Sequence, residues 1–264
     1  MESSRGVVVT AALHHIGGLK LALARLRSLE VSLMVEVWLE PGLDPGDDWA
    51  KGVSFRHFTS PCDIGFARKI EALLSTTWSE VLFLDADVWF LVNPEEWFES
   101  EQFQEHGYLL WPDLPGTNSV GWPPTDSGVM LWDLDRHRNW LNSAMQVTLH
   151  EHSGRAEGDK ESYALVHGQP VQHAAPHPDF AGFVEMEQGA SMVRGCAMLQ
   201  YWQDRPAFLH STLFKFGVHE CLHEPPHWPF QFPSEGHWVH AFSGTYGRWF
   251  PSVSLSQAIP LKFP

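Results

Sequence analysis

Cysteine is scarce in this sequence, basic residues are outnumbered and long apolar runs are missing, and each shortage removes a class of protein. Cys62, Cys196 and Cys221 are an odd set with no C-x-x-C spacing. That argues against a zinc ribbon or a disulfide framework and fits a reducing compartment. Only 17 basic residues face 32 acidic ones, for a net charge of −15, and no basic cluster is longer than Arg25 to Arg27. A nucleic-acid or anionic-membrane surface therefore lacks its electrostatic footing. No stretch approaches the length of a membrane span, and the run Val7 to Leu13 is too short for a secretory leader. The expectation is a soluble, cytoplasmic chain with no integral membrane segment. No internal repeat and no linker divides the 264 residues, so one large domain over 1–264 is expected.

What is present is organised around Val81 to Leu91, an apolar run interrupted only by Asp85-Ala86-Asp87. Such a run reads as a strand buried on both faces that ends at a cleft. If the backbone stays extended, the two-residue period puts Asp85 and Asp87 on one face, able to share a hard cation or to straddle a cation and a sugar hydroxyl. The plainer reading is a strand end capped by solvated aspartates, but bare carboxylates among large apolar residues are costly without a partner.

Upstream, Val7 to Thr10 and Met34 to Leu39 read as strands and Val53 to Phe55 as a short edge strand. The spacings of Leu19, Ala22, Leu23, Leu26 and Leu29, and of Phe66, Ile70, Leu73 and Leu74, predict two amphipathic helices. Alternating strands and helices imply an α/β fold with a mostly parallel sheet, whose ligands gather at the carboxyl ends of the strands. Downstream, Asn93-Pro94-Glu95-Glu96 predicts a helix start and Tyr108 to Trp111 a strand. A loop follows over Gly116 to Asp126, and Val129 to Trp132 returns as a strand. Asp135 is the expected cap of a helix buried through Trp140, Leu141, Ala144, Met145 and Thr148. Gly158 to Glu161 predicts another helix start and Phe208 to His210 a late strand.

The blocks Phe66 to Leu74, Glu80 to Asp87 and Asn93-Pro94, followed by Asp126-Ser127-Gly128, Gly158-Asp159-Lys160-Glu161 and Leu209-His210 with Lys215, resemble nucleotide-sugar-dependent glycosyltransferases of the GT-A fold. Lys69, the Trp-Pro-Asp at Trp111 to Asp113 and the Gly-Asp-Lys block are most similar to fungal-type alpha-mannosyltransferases. Glycogenin-like and lipopolysaccharide hexosyltransferases come second. The stretch His210 to Lys215 is one residue shorter than the His-x-x-Gly-x-x-Lys-Pro-Trp pattern of those relatives and lacks its Gly, Pro and Trp.

The resemblance implies a single GT-A, Rossmann-like domain: a donor half over about 1–115 and an acceptor half over about 116–264. It implies transfer of a hexose, mannose favoured, from GDP-mannose or a UDP-hexose to a glycan, protein or small-molecule hydroxyl, with retention. Asp85, Asp87 and His210 are the implied metal ligands, and an imidazole among oxygens tilts the choice toward Mn²⁺ over Mg²⁺. Thr10, Lys215 and either Arg68 or Lys69 are implied to meet the nucleotide or its phosphates, with Asp85 sharing that task. Asp126 and Asp159 are the implied catalytic carboxylates lining the cleft. Such enzymes also raise the Golgi lumen as a location, if the chain is a catalytic domain separated from an anchor. The Trp-rich loops Trp111 to Trp122 and Trp228 to Trp249 are candidate sugar platforms or plain core and lid packing.

Two readings compete. A haloacid-dehalogenase-type phosphatase also follows a strand with Asp-x-Asp, but expects Thr or Val where Trp89 stands and places the motif close to the N-terminus. A non-catalytic sugar- or nucleotide-binding domain would have no need for Asp85, Asp87, His210 and Lys215 together.

Overall fold

The computed structural model describes residues 4–12, 15–46, 49, 51–59, 65–113, 125–151, 162–163, 166–167, 171–175, 179–181, 197–210, 242–243 and 248–249. The expected α/β architecture is present, built on a mostly parallel sheet flanked by helices. Strands β1 (Arg5–Ala11), β2 (Met34–Leu39), β3 (Val53–His57) and β4 (Glu80–Leu84) pair in parallel. Strands β6 (Tyr108–Pro112) and β7 (Thr125–Asp133) complete a six-stranded sheet of order β3-β2-β1-β4-β7-β6, with β7 antiparallel to both neighbours. Helices α1 (Ile16–Ser28) and α2 (Gly65–Ser75) carry the first crossovers, and α4 (Leu134–Glu151) follows β7. The strands are apolar on both sides because both sides are covered. Val7, Val9, Leu82 and Leu84 pack with Leu19, Leu23 and Leu26 of α1. Val8, Val81 and Phe83 pack with Ile70 and Leu73 of α2 and Leu141 and Ala144 of α4.

The run Val81 to Leu91 is two strands rather than one. After β4 the backbone turns through Ala86 and Asp87, and β5 (Val88–Phe90) joins a second sheet of order β5-β10-β9-β8. Its other members are β8 (Asp179–Ala181), β9 (Ala197–Trp202) and β10 (Arg205–His210), each antiparallel to its neighbours. The turn lets one continuous apolar sequence serve two sheets. Trp97, in a 3-10 turn over Pro94–Glu99, lies between them, with ring centroids 4.8 Å from Trp111 and 6.2 Å from Phe208. Trp111 is fully buried there, so it packs in the core rather than serving as a sugar platform.

Other boundaries also differ from expectation. Asn93 caps the 3-10 turn by accepting from Glu95 N–H, and the following α3 (Glu101–His106) is short. Strand β7 begins at Thr125, inside the expected loop, because Asp126 pairs with Trp111 across a register shift in β6. Asp133, not Asp135, caps α4: its Oδ1 accepts from the N–H of Arg136 at 3.1 Å, which leaves Asp135 inside the first turn. Gly158 to Glu161, Trp122, Trp228, the three cysteines and Lys215 lie outside the described residues.

Candidate active site

The order β3-β2-β1-β4 is that of a mononucleotide-binding half-domain, and the crevice between the carboxyl ends of β1 and β4 is its topological switch point. Thr10 lies near the end of β1, and Asp85 follows the last residue of β4. Two pairings then assemble a cluster there. The N–H of Asp85 donates to the carbonyl of Gly128 at 2.7 Å, continuing the β4–β7 ladder and setting Asp85 beside the Asp126-Ser127-Gly128 segment. In the second sheet His210 is the register partner of Val88, which sets its ring against Asp87.

The imidazole bridges three carboxylates. Nδ1 lies 2.9 Å from Asp126 Oδ1, and Nε2 lies 3.5 Å from Asp87 Oδ1 and 3.8 Å from Asp85 Oδ2. Nε2 is fully buried and, among the described residues, has no well-formed hydrogen bond beyond these longer contacts, an expensive condition for a polar atom. One ligand atom from each of Asp85, Asp87 and His210 falls within 4.8 Å of the others. Two carboxylates and an imidazole suit Mn²⁺ or Mg²⁺, and the unpartnered Nε2 facing both acids is what a cation ligand would leave behind. The residues present therefore fit a divalent cation.

Burial alone would lower the His210 pKa, but the Asp126 and Asp87 carboxylates more than reverse this and raise it to about 10. Burial would likewise raise Asp126, yet its contact with His210, the Gly128 N–H and more distant Lys69 hold it below the ordinary carboxylate range.

Lys69 closes the other side. Its Nζ donates to Asp85 Oδ2 at 2.8 Å and to Ser127 Oγ at 3.2 Å. Helix α2 places it there by burying Ala67, Ile70 and Leu73 on the sheet. Arg68, one position earlier, turns away: it pairs with Glu71 at 2.8 Å and lies over the Phe58 ring at 4.5 Å. Asp126 is 3% exposed and sits behind the histidine, not in an open cleft. The structure thus brings together Asp85, Asp87, His210, Lys69 and Asp126, with Thr10 across the crevice. Asp159 and Lys215 lie outside the described residues.

Sequence reading missed three contributors. Ser127 receives the Lys69 ammonium. Gly128 leaves room for the imidazole, since a Cβ there would stand 2.3 Å from His210 Cε1. Gln200, fully buried, donates to the Pro112 carbonyl at 2.7 Å and reaches Asp126 Oδ2 at 3.4 Å. The first two stand in a motif already singled out. Gln200 carries no local signal, because only strand pairing puts it there.

Fold and cluster together define a class: an α/β domain with nucleotide-binding strand order and an acid–acid–histidine cation-type cluster at its switch point. The comparisons narrow it. Residues 47–122, from before α2 to beyond β6, match the family model described as "Mannosyltransferase putative". The chain is 29% identical over 139 residues to alpha-1,2-mannosyltransferase MNN23 of Candida albicans, covering 42% of this chain and 21% of that protein. It is 43% identical over 49 residues to alpha-1,2-mannosyltransferase MNN2 of the same organism, covering 19% of this chain and 8% of the relative. The match thus spans about a fifth or less of the length of these curated relatives. Among solved structures, the glycosyltransferase GlyE of Streptococcus pneumoniae is similar at 18% identity with a TM-score of 0.46, over 62% of this chain and 43% of that one. The resemblance to fungal alpha-mannosyltransferases expected from the motifs is therefore present in these partial matches, which cover less than half of the chain.

Proposed function

We propose that this chain is the catalytic domain of a divalent-cation-dependent glycosyltransferase that moves a hexose from a nucleoside-diphosphate sugar to a hydroxyl acceptor. The observation that carries this reading is the buried, unpartnered Nε2 of His210 facing Asp85 and Asp87 at the switch point of the sheet. Asp85, Asp87 and His210 would hold the cation, Mn²⁺ ahead of Mg²⁺. When bound, it supplies charge stabilisation to the departing nucleoside diphosphate.

The chain's own residues do the rest. Lys69 fixes the Asp85 carboxylate and adds a positive charge to the same crevice. Backbone groups around Thr10 and Ala11 offer hydrogen bonds to the nucleotide. Asp159 and Lys215 are assigned to the sugar and the phosphates through the motifs that contain them. Asp126 is buried behind His210 rather than open to the crevice, so it is poorly placed to take a proton from an acceptor. That favours a retaining course in which the leaving phosphate takes the acceptor's proton. Mannose, delivered as GDP-mannose, is favoured over a UDP-hexose by the family model and the mannosyltransferase relatives. The acceptor is a glycan, protein or small-molecule hydroxyl.

Release of nucleoside diphosphate from a panel of GDP- and UDP-sugars, with Mn²⁺, Mg²⁺ or chelator, tests this reading. Slow Mn²⁺-dependent hydrolysis of GDP-mannose is expected. Release that chelator does not affect would overturn the metal assignment, and turnover of a UDP-hexose alone would overturn the donor.

A further inference from the structure

We propose that Asp126 is a positioning residue for the cation site: it fixes the ring of His210 so that Nε2 alone faces Asp85 and Asp87. The proposal rests on the cation site proposed above. A carboxylate can only accept, so the 2.9 Å contact between Asp126 Oδ1 and His210 Nδ1 puts a proton on Nδ1. With that nitrogen committed as a donor, Nε2 is the nitrogen that gives up its proton and offers its lone pair when a cation binds, and it is the atom 3.5 Å and 3.8 Å from the two acids.

Asp126 is itself clamped. Oδ1 also accepts from the N–H of Gly128 at 2.8 Å, and Oδ2 is within 3.4 Å of Gln200 Nε2. Gln200 is anchored in turn on the Pro112 carbonyl at the end of β6. Gly128 contributes by absence as well, because any side chain there would occupy the place of the ring. The Asp126-Ser127-Gly128 segment is thus a seat for the histidine, in which Asp126 holds the inner nitrogen, Gly128 leaves the space and Ser127 receives Lys69. The arrangement is a carboxylate–histidine pair aimed at a cation, and carboxylates in that place set both the tautomer and the basicity of the ligand.

Mn²⁺ binding to the full chain, read from the electron paramagnetic resonance signal of free Mn²⁺, tests the proposal without requiring turnover. Echo modulation from a coordinated imidazole nitrogen reports whether His210 is bound. Asp126→Ala is expected to weaken Mn²⁺ binding by roughly 10- to 100-fold and to lose the nitrogen modulation. Asp126→Asn keeps an acceptor for Nδ1 without the charge, so it is expected to weaken binding less and to keep the modulation. It also serves if the alanine variant does not fold. Wild-type affinity and modulation in a folded Asp126→Ala chain would overturn the positioning role and leave the cation site standing, as would loss of modulation in a folded Asp126→Asn chain that still binds Mn²⁺ like wild type. Absence of Mn²⁺ binding by the wild-type chain would overturn both.

Discussion

Asp87 and Asp126 flank the same imidazole but stand in different surroundings. Asp126 is walled in by His210, Gly128 and Gln200, whereas Asp87 lies in the turn between β4 and β5 and keeps partial exposure. Removing Asp87 therefore takes away one of the proposed cation ligands without opening a cavity. Asp87→Ala is expected to lower cation-dependent nucleotide release by about 10³-fold, on the order of the several kcal/mol a bound cation contributes. Its unfolding free energy from urea titration should fall by only about 1 kcal/mol, the cost of losing one carboxylate beside His210. Full activity in this variant would remove Asp87 from the site. At this scale Asp85, Asp87, His210 and Lys69 could be named from sequence, since they stand in motifs. Gln200 could not, because its partners, Asp126 and Pro112, are distant in the chain.

Elements were legible where burial is on both faces or where periodicity is strong. Strands β1, β2 and β4 stand out as apolar runs, and α1 and α2 as regular stripes. Two kinds of boundary were not. The apolar run over β4 and β5 gives no local sign that it changes sheets, since both halves are buried and hydrophobicity does not say against what. The cap of α4 was placed two residues late because Asp133 and Asp135 are chemically identical, and only the backbone direction leaving β7 chooses between them. Asp133→Ala is expected to cost about 1 kcal/mol of stability, against little for Asp135→Ala, as measured by urea unfolding. Equal effects from the two would remove the capping assignment.

On the scale of the whole molecule, the segment 171–175 ties the far edge of the sheet to the site. Ala174 N–H donates to the Leu110 carbonyl, Gln102 donates to the His173 carbonyl, and His173 Nε2 lies 3.0 Å from Thr125 Oγ1, next to Asp126. Burial lowers the pKa of His173 from 6.5 to about 4. Between those values the unfolded chain takes up a proton that the folded chain refuses. The contribution is therefore complete above pH 6.5 and declines as pH falls toward 4. His173→Gln is expected to flatten the fall in melting temperature across that window relative to the wild type; parallel curves would show that His173 is not the group responsible. The sequence by itself determined the layers, the strand carrying the acids and the residue types of the site, because patterns of burial and charge are written locally. Tertiary structure decided that the acidic strand turns into a second sheet, that His210 arrives beside Val88, and that Asp126 faces the histidine. Those depend on pairing register between distant strands, which fixes geometry that no local pattern encodes.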